Sequence, residues 1–449
     1  MDSEEIPLGD NELSSELTGL NKESFFNKKM LIGIIATSVF LVIIIIIILA
    51  IALNKDDSKN DSKNEDDNKV PRTKIAEINC VYDVQIITGN TVLLGANFKK
   101  NTDLDIFIGN NSIKYSKEYN FEKFGNNTVK YVIYENLDMN YMFQDVPNLI
   151  SIEMVSEKNA KIISMISAFD NCENLEEITI KGFDTSEIKS LHKLFYKTSL
   201  VGLTGVNLNA KNVEDMSYMF SLSSFQELNL SFIESKKVMN ISHMFEGCSS
   251  LNHLVLDNLD TSQVIDMSYL FQSCSALSDL DLSTFRTEKV INMSHMFENC
   301  FSLYSLSFSE FNTASVTDFS SMFANCNYLS QLDLSSFDTS NAKNMSRMFE
   351  YCGFLREIDV SKFDTKNVED MSRMFSSCFS LSKISISNFD TSKVKDMSYM
   401  FNMNYLTQLD VSSFDTSQVT NMNSMFRECS LLGSLETSQF KTNKVLDMS

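Results

Sequence analysis

A chain of 449 residues is long enough for about three ordinary domains, and its 59 acidic against 38 basic residues give a net charge of -21. That balance argues against nucleic acid as a partner, because binding phosphate needs patches of Lys and Arg. Only 3 Pro and 13 Gly are present, so turns fall to Asn, Asp and Ser, whose side chains bond to nearby backbone.

Residues 1–29 are acidic at the start (Asp2-Ser-Glu-Glu5) and lack apolar periodicity, which predicts a short disordered cytoplasmic tail. From Met30 to Leu53 the chain is apolar apart from Gly33, Thr37 and Ser38. As a helix this stretch would be about 36 Å long, enough for one transmembrane crossing. A cleaved signal peptide is the alternative, but its apolar region is typically about 7 to 15 residues with few residues before it. The Lys28-Lys29 pair beside the span favours the tail inside. The predicted topology is single-pass in the plasma membrane, with the rest of the chain extracellular. Residues 54–69, with Lys and Asp repeated through them, read as a charged stalk with a coil reach on the order of 20 Å.

Residues 70–138 contain runs rich in β-formers at 81–87, 91–94, 104–108 and 128–134, punctuated by Gly89-Asn90, Gly109-Asn110-Asn111 and Gly125-Asn126-Asn127. They predict a small β-rich domain that spaces and caps the remainder of the chain.

From residue 139 to 449 one unit recurs. Its Phe falls at 143, 169, 195, 220, 245, 271, 297, 323, 349, 375, 401 and 426, in steps of 25 or 26. A fixed period of this length predicts a repeat solenoid of about 12 units, each burying its apolar face by stacking on its neighbours. Within a unit, Leu277-x-x-Leu280-x-Leu282 is the short parallel strand of a leucine-rich repeat. Val264, Met267, Phe271, Cys274 and Leu277, three to four apart, predict a short helical segment.

The residue before that segment is Asp138, Ser164, Ser190, Asp215, Asn240, Asp266, Asn292, Asp318, Asn344, Asp370, Asp396, Asn421 and Asp447 in turn. This free exchange of Asp, Asn and Ser predicts a helix cap; a calcium column would need charged oxygen ligands throughout. Eight of the nine Cys lie three residues after the Phe, in a slot that elsewhere holds Val146, Thr198, Ser223 or Asn404. They are expected to be buried free thiols packed as small side chains, with disulfides between stacked copies as the alternative. Thr at 185, 261, 287, 313, 339, 365, 391, 416 and 442 is expected to form a hydroxyl ladder to the neighbouring turn. His192, His243, His253 and His295 sit on different units. No phosphate-cradling Gly loop, zinc spacing or nucleophile with its base is present, so neither a cofactor, a metal nor an enzyme is predicted.

Phe389-Asp-Thr-Ser-Lys-Val-Lys-Asp-Met-Ser-Tyr-Met-Phe401 and its copies through 139–449 resemble the 26-residue repeat of the BspA-like leucine-rich-repeat surface proteins of mycoplasmas, other bacteria and protists. Two features depart from that pattern: Phe stands where the family often has Trp before Asp-Thr, and the units around Leu200 to Asn240 are degraded. The resemblance implies a cell-surface protein used in adhesion or host contact. A passive structural surface coat is the alternative.

Two residues before the repeat Phe, one slot holds Tyr218, His243, Tyr269, His295, Arg347, Arg373 and Tyr399. Tyr and Arg are favoured at protein interfaces, so this lane is the candidate binding surface for a protein ligand, with ordinary solvated helix residues as the alternative. The strand-side lane of Asp279, Asp281, Asp333, Glu357, Asp359 and Asp410 is acidic and lacks aromatics. The last unit opens at Asp447 with no polar terminal unit after it. Its exposed face is expected to be frayed, continued by further chain, or covered by a second copy in an end-to-end homodimer.

Overall fold

The computed structural model describes residues 72–449. The expected tail, membrane span and stalk lie outside the described residues, and among those described no helix is long and apolar enough to cross a membrane.

The first strands are β1 (Ala76–Val84), β2 (Thr91–Val92), β3 (Leu104–Ile108), β4 (Asn111–Ile113), β5 (Glu118–Tyr119), β6 (Gly125–Ile133) and β7 (Leu137–Asp138). β1 begins earlier than expected because burial already alternates from Ala76, with Ile78, Cys80 and Tyr82 inward. Next come β8 (Leu149–Val155), β9 (Ile162–Ser164) and β10 (Glu177–Lys181). One six-stranded sheet runs β10-β8-β1-β6-β3-β4. β10 and β8 are parallel, and β1 pairs antiparallel with the other edge of β8. The strand of the first coil therefore presents no unpaired edge on that side.

Beyond β10 the chain is a parallel solenoid with four short strands, β11 (Glu227–Asn229), β12 (His253–Val255), β13 (Ser305–Leu306) and β14 (Gln331–Leu332). The strand expected at Leu277–Leu282 does not form, although Leu277, Leu280 and Leu282 are buried. Bridges one period apart continue the ladder from Ser190–Asp215 to Asn421–Asp447. Inside it the twelve repeat Phe rings stack face to face, with centroids 5.5–5.9 Å apart.

The expected helical segments are absent: no helix occurs among the described residues. In the coil of Phe349, the N–H groups of Met345, Arg347, Phe349 and Tyr351 donate to carbonyls of the next coil at 2.8–3.0 Å. Those of Met348, Glu350 and Cys352 donate three residues back within their own coil, at 3.0–3.3 Å. An α-helix would spend all of them four residues back. Apolar residues three and four apart thus mark consecutive tight turns, each returning one side chain to the core.

The cap chemistry is real although the helix is not. Asn344 Oδ1 accepts the Ser346 N–H at 3.0 Å, as Asp370 Oδ1 does from Ser372 at 2.8 Å. The same bond to the residue two along recurs in other coils, so the column forms Asx turns opening each turn pair.

The Thr ladder forms as the period implies. Thr365 Oγ1 donates to the Asp390 carbonyl at 3.0 Å and accepts the Asp390 N–H at 2.8 Å, and Thr287 and Thr313 bridge to their next coils in the same way. Replacing Thr365 with Val strands one buried donor and one buried acceptor, a loss of about 2 kcal/mol. Thr365→Ser, which keeps the hydroxyl, should lose less than half as much in urea unfolding. Equal losses would show that the hydroxyl bonds contribute nothing.

Candidate functional site

All non-glycine residues with positive φ except Asn159 fall in two slots, two before and two after the repeat Phe. The candidate lane is the first of these: Tyr218, His243, Tyr269, His295, Arg347, Arg373 and Tyr399 all have φ between 56° and 59°. Each is the left-handed corner of its turn, which swings its side chain off the core. That conformation disfavours non-glycine residues by roughly 1 kcal/mol, yet glycine never occupies this slot in the twelve coils.

The lane divides in two. Tyr218, His243, Tyr269 and His295 form one continuous stack, with centroids 4.2, 4.4 and 4.3 Å apart and planes within 9° of parallel. At its first end Lys193 Nζ lies over the Tyr218 ring, and His192 meets it edge-on. The slot then holds Ser321, which is buried. Beyond it, the Arg373 guanidinium sits 4.3 Å over the Tyr399 ring.

Partners not expected from the lane itself lie one residue after the repeat Phe. Glu246 Oε2 is 2.9 Å from His243 Nδ1, and Glu298 Oε2 is 2.7 Å from His295 Nδ1. Glu350, with its side chain 7 % exposed, is held by Arg347 at 3.7 Å and Arg373 at 3.3 Å. His243, His295 and Arg347 each reach the acid three residues on, while Arg373 reaches Glu350 of the preceding coil. These carboxylates pair with much of the lane's positive charge, so what it presents outward is chiefly aromatic. Burial acts to raise Glu298, but hydrogen bonds from His295 and Gln272 hold it below the ordinary carboxylate range. Burial pushes the phenols of Tyr218 and Tyr269 up and the imidazole of His192 down.

Six residues before the Phe, Met239, Ile265 and Ile291 form an aliphatic row, 40–48 % exposed, on the same three coils as His243, Tyr269 and His295. The first two coils also carry apolar residues here, Leu137 and the exposed Ile163, while Lys189, Glu214, Thr317, Lys343, Glu369, Lys395 and Thr420 fill the remaining coils. The apolar row and the ring stack therefore coincide on the solenoid.

The strand-side acids have a different role. Asp281, Asp333, Asp359 and Asp410 each accept the N–H of the serine two residues on at 2.9 Å. Hydrogen bonds from that serine hold all four carboxyls below their ordinary range. They shape turns.

The cysteine slot is a donor slot. Thiols of Cys172, Cys248, Cys274, Cys300, Cys326, Cys352 and Cys378 donate to the Phe carbonyl of the preceding coil at 2.9–3.2 Å. Ser223 and Asn404 make the same bond. Val146, which cannot donate, stands in the one coil with no repeat Phe before it. All nine cysteines are free.

The family described as "Mycoplasma protein of unknown function, DUF285" matches residues 111–232, 163–280, 221–306, 274–383 and 353–449. This chain belongs to that family. Its repeats tile the described solenoid, and the family is described as one of unknown function. Among solved structures, a leucine-rich repeat protein from Eubacterium ventriosum is 14 % identical, with 66 % of this chain and 94 % of that one covered and a TM-score of 0.36. The TLR13–ssRNA13 complex matches at 13 % identity over 67 % and 57 % of the two chains, with a TM-score of 0.17. No curated protein matches.

Burial pushes the Cys248, Cys300 and Cys378 thiols up to about 12 from an ordinary 9.0. Their contribution to stability is complete below pH 9 and is lost as pH rises towards 12, where the unfolded thiols ionise and the folded ones do not. Iodoacetamide at pH 8 should label half-buried Cys429 first, and the eight buried cysteines only on unfolding. Uniform labelling of the native protein, read by mass spectrometry, would contradict this burial.

Proposed function

We propose that this chain is a membrane-anchored surface recognition protein that binds a protein partner through the turn face of its solenoid. The observation that carries the reading is the ring stack Tyr218–His243–Tyr269–His295 beside the exposed Met239, Ile265 and Ile291. A stacked ladder holds its rotamers before any partner arrives, so little side-chain entropy is lost on binding. Tyr and His edges on a rigid apolar surface, with the charges already paired, suit a protein contact better than an ionic one. Support for binding over chemistry is that the site's titratable groups are committed to one another and the Cys slot donates to backbone.

The triple change Tyr218→Ala, Tyr269→Ala and Arg347→Ala should reduce adhesion of cells carrying the protein by about 100-fold or more. The melting transition should stay cooperative and fall by only a few degrees. Arg373, the nearer of the two guanidinium partners of Glu350, is left intact so that this buried carboxylate keeps one of them. Undiminished adhesion would move the reading to a passive surface coat.

The anchoring part of the reading rests on the apolar Met30–Leu53 stretch. Protease added to intact cells should remove the repeats and leave a membrane-bound fragment that retains residues 1–53. Repeats protected on cells permissive to the protease would overturn an extracellular placement.

A further inference from the structure

A second surface lies on the edge where each coil passes from its turns to its strand. Phe301, Tyr304, Tyr328, Phe354, Phe379 and Tyr405, on five consecutive coils, are each 37–59 % exposed. Tyr328 and Phe354 stack at 5.3 Å, and Phe379 leans towards Tyr405 at 6.3 Å. In earlier coils the corresponding positions hold Glu173, Asn174, Ser249, Ser250, Ser275 and Ala276. The aromatics are therefore not demanded by the coil.

Charge is sparse on this edge. In the coils of Phe297, Phe323, Phe349 and Phe375, the slots two, four, five and seven after the Phe contain one charged residue, Arg356. The rest are aromatic, Asn, Ser or Gly, in a chain that is 22 % charged. Tyr with Ser, Asn and Gly is a composition suited to protein contact, combining rigid rings with adaptable hydrogen bonds.

Gly353, in the middle of the strip, is not required by its backbone or by internal space. Its φ is not left-handed, and an added Cβ would meet nothing nearer than Phe379 at 3.7 Å and Asn327 at 3.9 Å. A glycine that the fold does not need leaves a notch open to the outside. Beside it in sequence stands the exposed knob of Phe354.

We infer that this strip is a self-association edge, on which a second copy of the chain packs antiparallel about a two-fold axis near Gly353 and Phe354. A knob next to a notch is self-complementary under such an axis, because each copy's Phe354 meets the other's Gly353. Two chains of net charge -21 repel across most of their surfaces, and this edge, which carries Arg356 and no acid in those slots, is where they approach at low electrostatic cost. Six half-exposed aromatic side chains offer about 600 Å² per copy and about 1,200 Å² per pair, the lower limit for a specific interface. The pair is thus weak in solution. It is distinct from end-to-end pairing and independent of the turn-face reading.

The test uses the full chain in detergent micelles. Light scattering from about 1 to about 100 μM, where an interface of this size dissociates, should show a monomer passing to a dimer. Tyr328→Glu with Phe354→Glu should weaken the dimer by about 100-fold, and Gly353→Arg should do so alone. Both variants should melt as the parent does, since the changed positions are outward-facing. Mild oxidation of Phe354→Cys should trap a covalent dimer, which Ser275→Cys, in the corresponding slot region of an earlier coil, should not. A parent monomeric throughout, a dimer insensitive to the Glu pair, or equal trapping at residues 275 and 354 would each overturn the proposal. A monomer whose Glu variant loses adhesion would do so as well, by assigning the strip to a different protein.

Discussion

Alternate backbone N–H groups in each turn segment are given to the neighbouring coil, and everything else in the array accommodates that. Met345, Arg347, Phe349 and Tyr351 point their N–H bonds along the solenoid axis, so their coil has a partner for each of them only when the next coil is present. The residues between them close tight turns, and closing two such turns in succession forces a left-handed residue every four positions. The Asp or Asn side chain supplies the one acceptor the backbone lacks at the start of the turns. The Thr hydroxyl spans the gap at the far side of the coil, where a single atom reaches both the N–H and the carbonyl opposite.

The period and the inward residues were legible because each repeats about a dozen times and each is apolar for a plain reason, whereas the strand forms in only some of the coils that carry its leucines. The helix was misread because spacing alone does not separate one helical face from two turns. Met267, Phe271 and Cys274 point inward in either case. What distinguishes them is where the N–H bonds go, and side-chain pattern carries no record of that. The cap residues were read correctly as side-chain acceptors and attached to the wrong element for the same reason. At the Cys slot, Thr198, Ser223 and Asn404 read as merely small, although all three can donate a hydrogen bond and Val146 cannot. In the turn-face lane the residues stand out by their period, while Glu246, Glu298 and Glu350 do not when each is weighed singly. The aromatic edge escapes notice because its residues shift among the fourth, fifth and seventh positions after the Phe.

This separation of roles explains how one backbone carries two differently composed surfaces. Inward slots are held to Phe, Met, Val, Leu and small donors by stacking on identical neighbours. The left-handed corners before the Phe accept Tyr, His, Lys, Arg and Ser, because the long side chains among them leave the core while Ser167 and Ser321 are small enough to stay buried. The first coils have an aromatic turn face with a polar edge, and later coils have the reverse emphasis. Neither change disturbs the Phe stack, whose spacing is the same beneath both.

The direction of the inter-coil bonds also sets how the array answers a pull. Tension between the two ends of the solenoid runs parallel to those bonds, so they are opened one coil at a time instead of being sheared together. Each coil that peels away releases 25 or 26 residues, about 90 Å of extended chain. Because the coils are near copies, each should yield at a similar load. The array would lengthen in even steps under stress and rewind coil by coil on the remaining stack, which serves as the template for each returning turn.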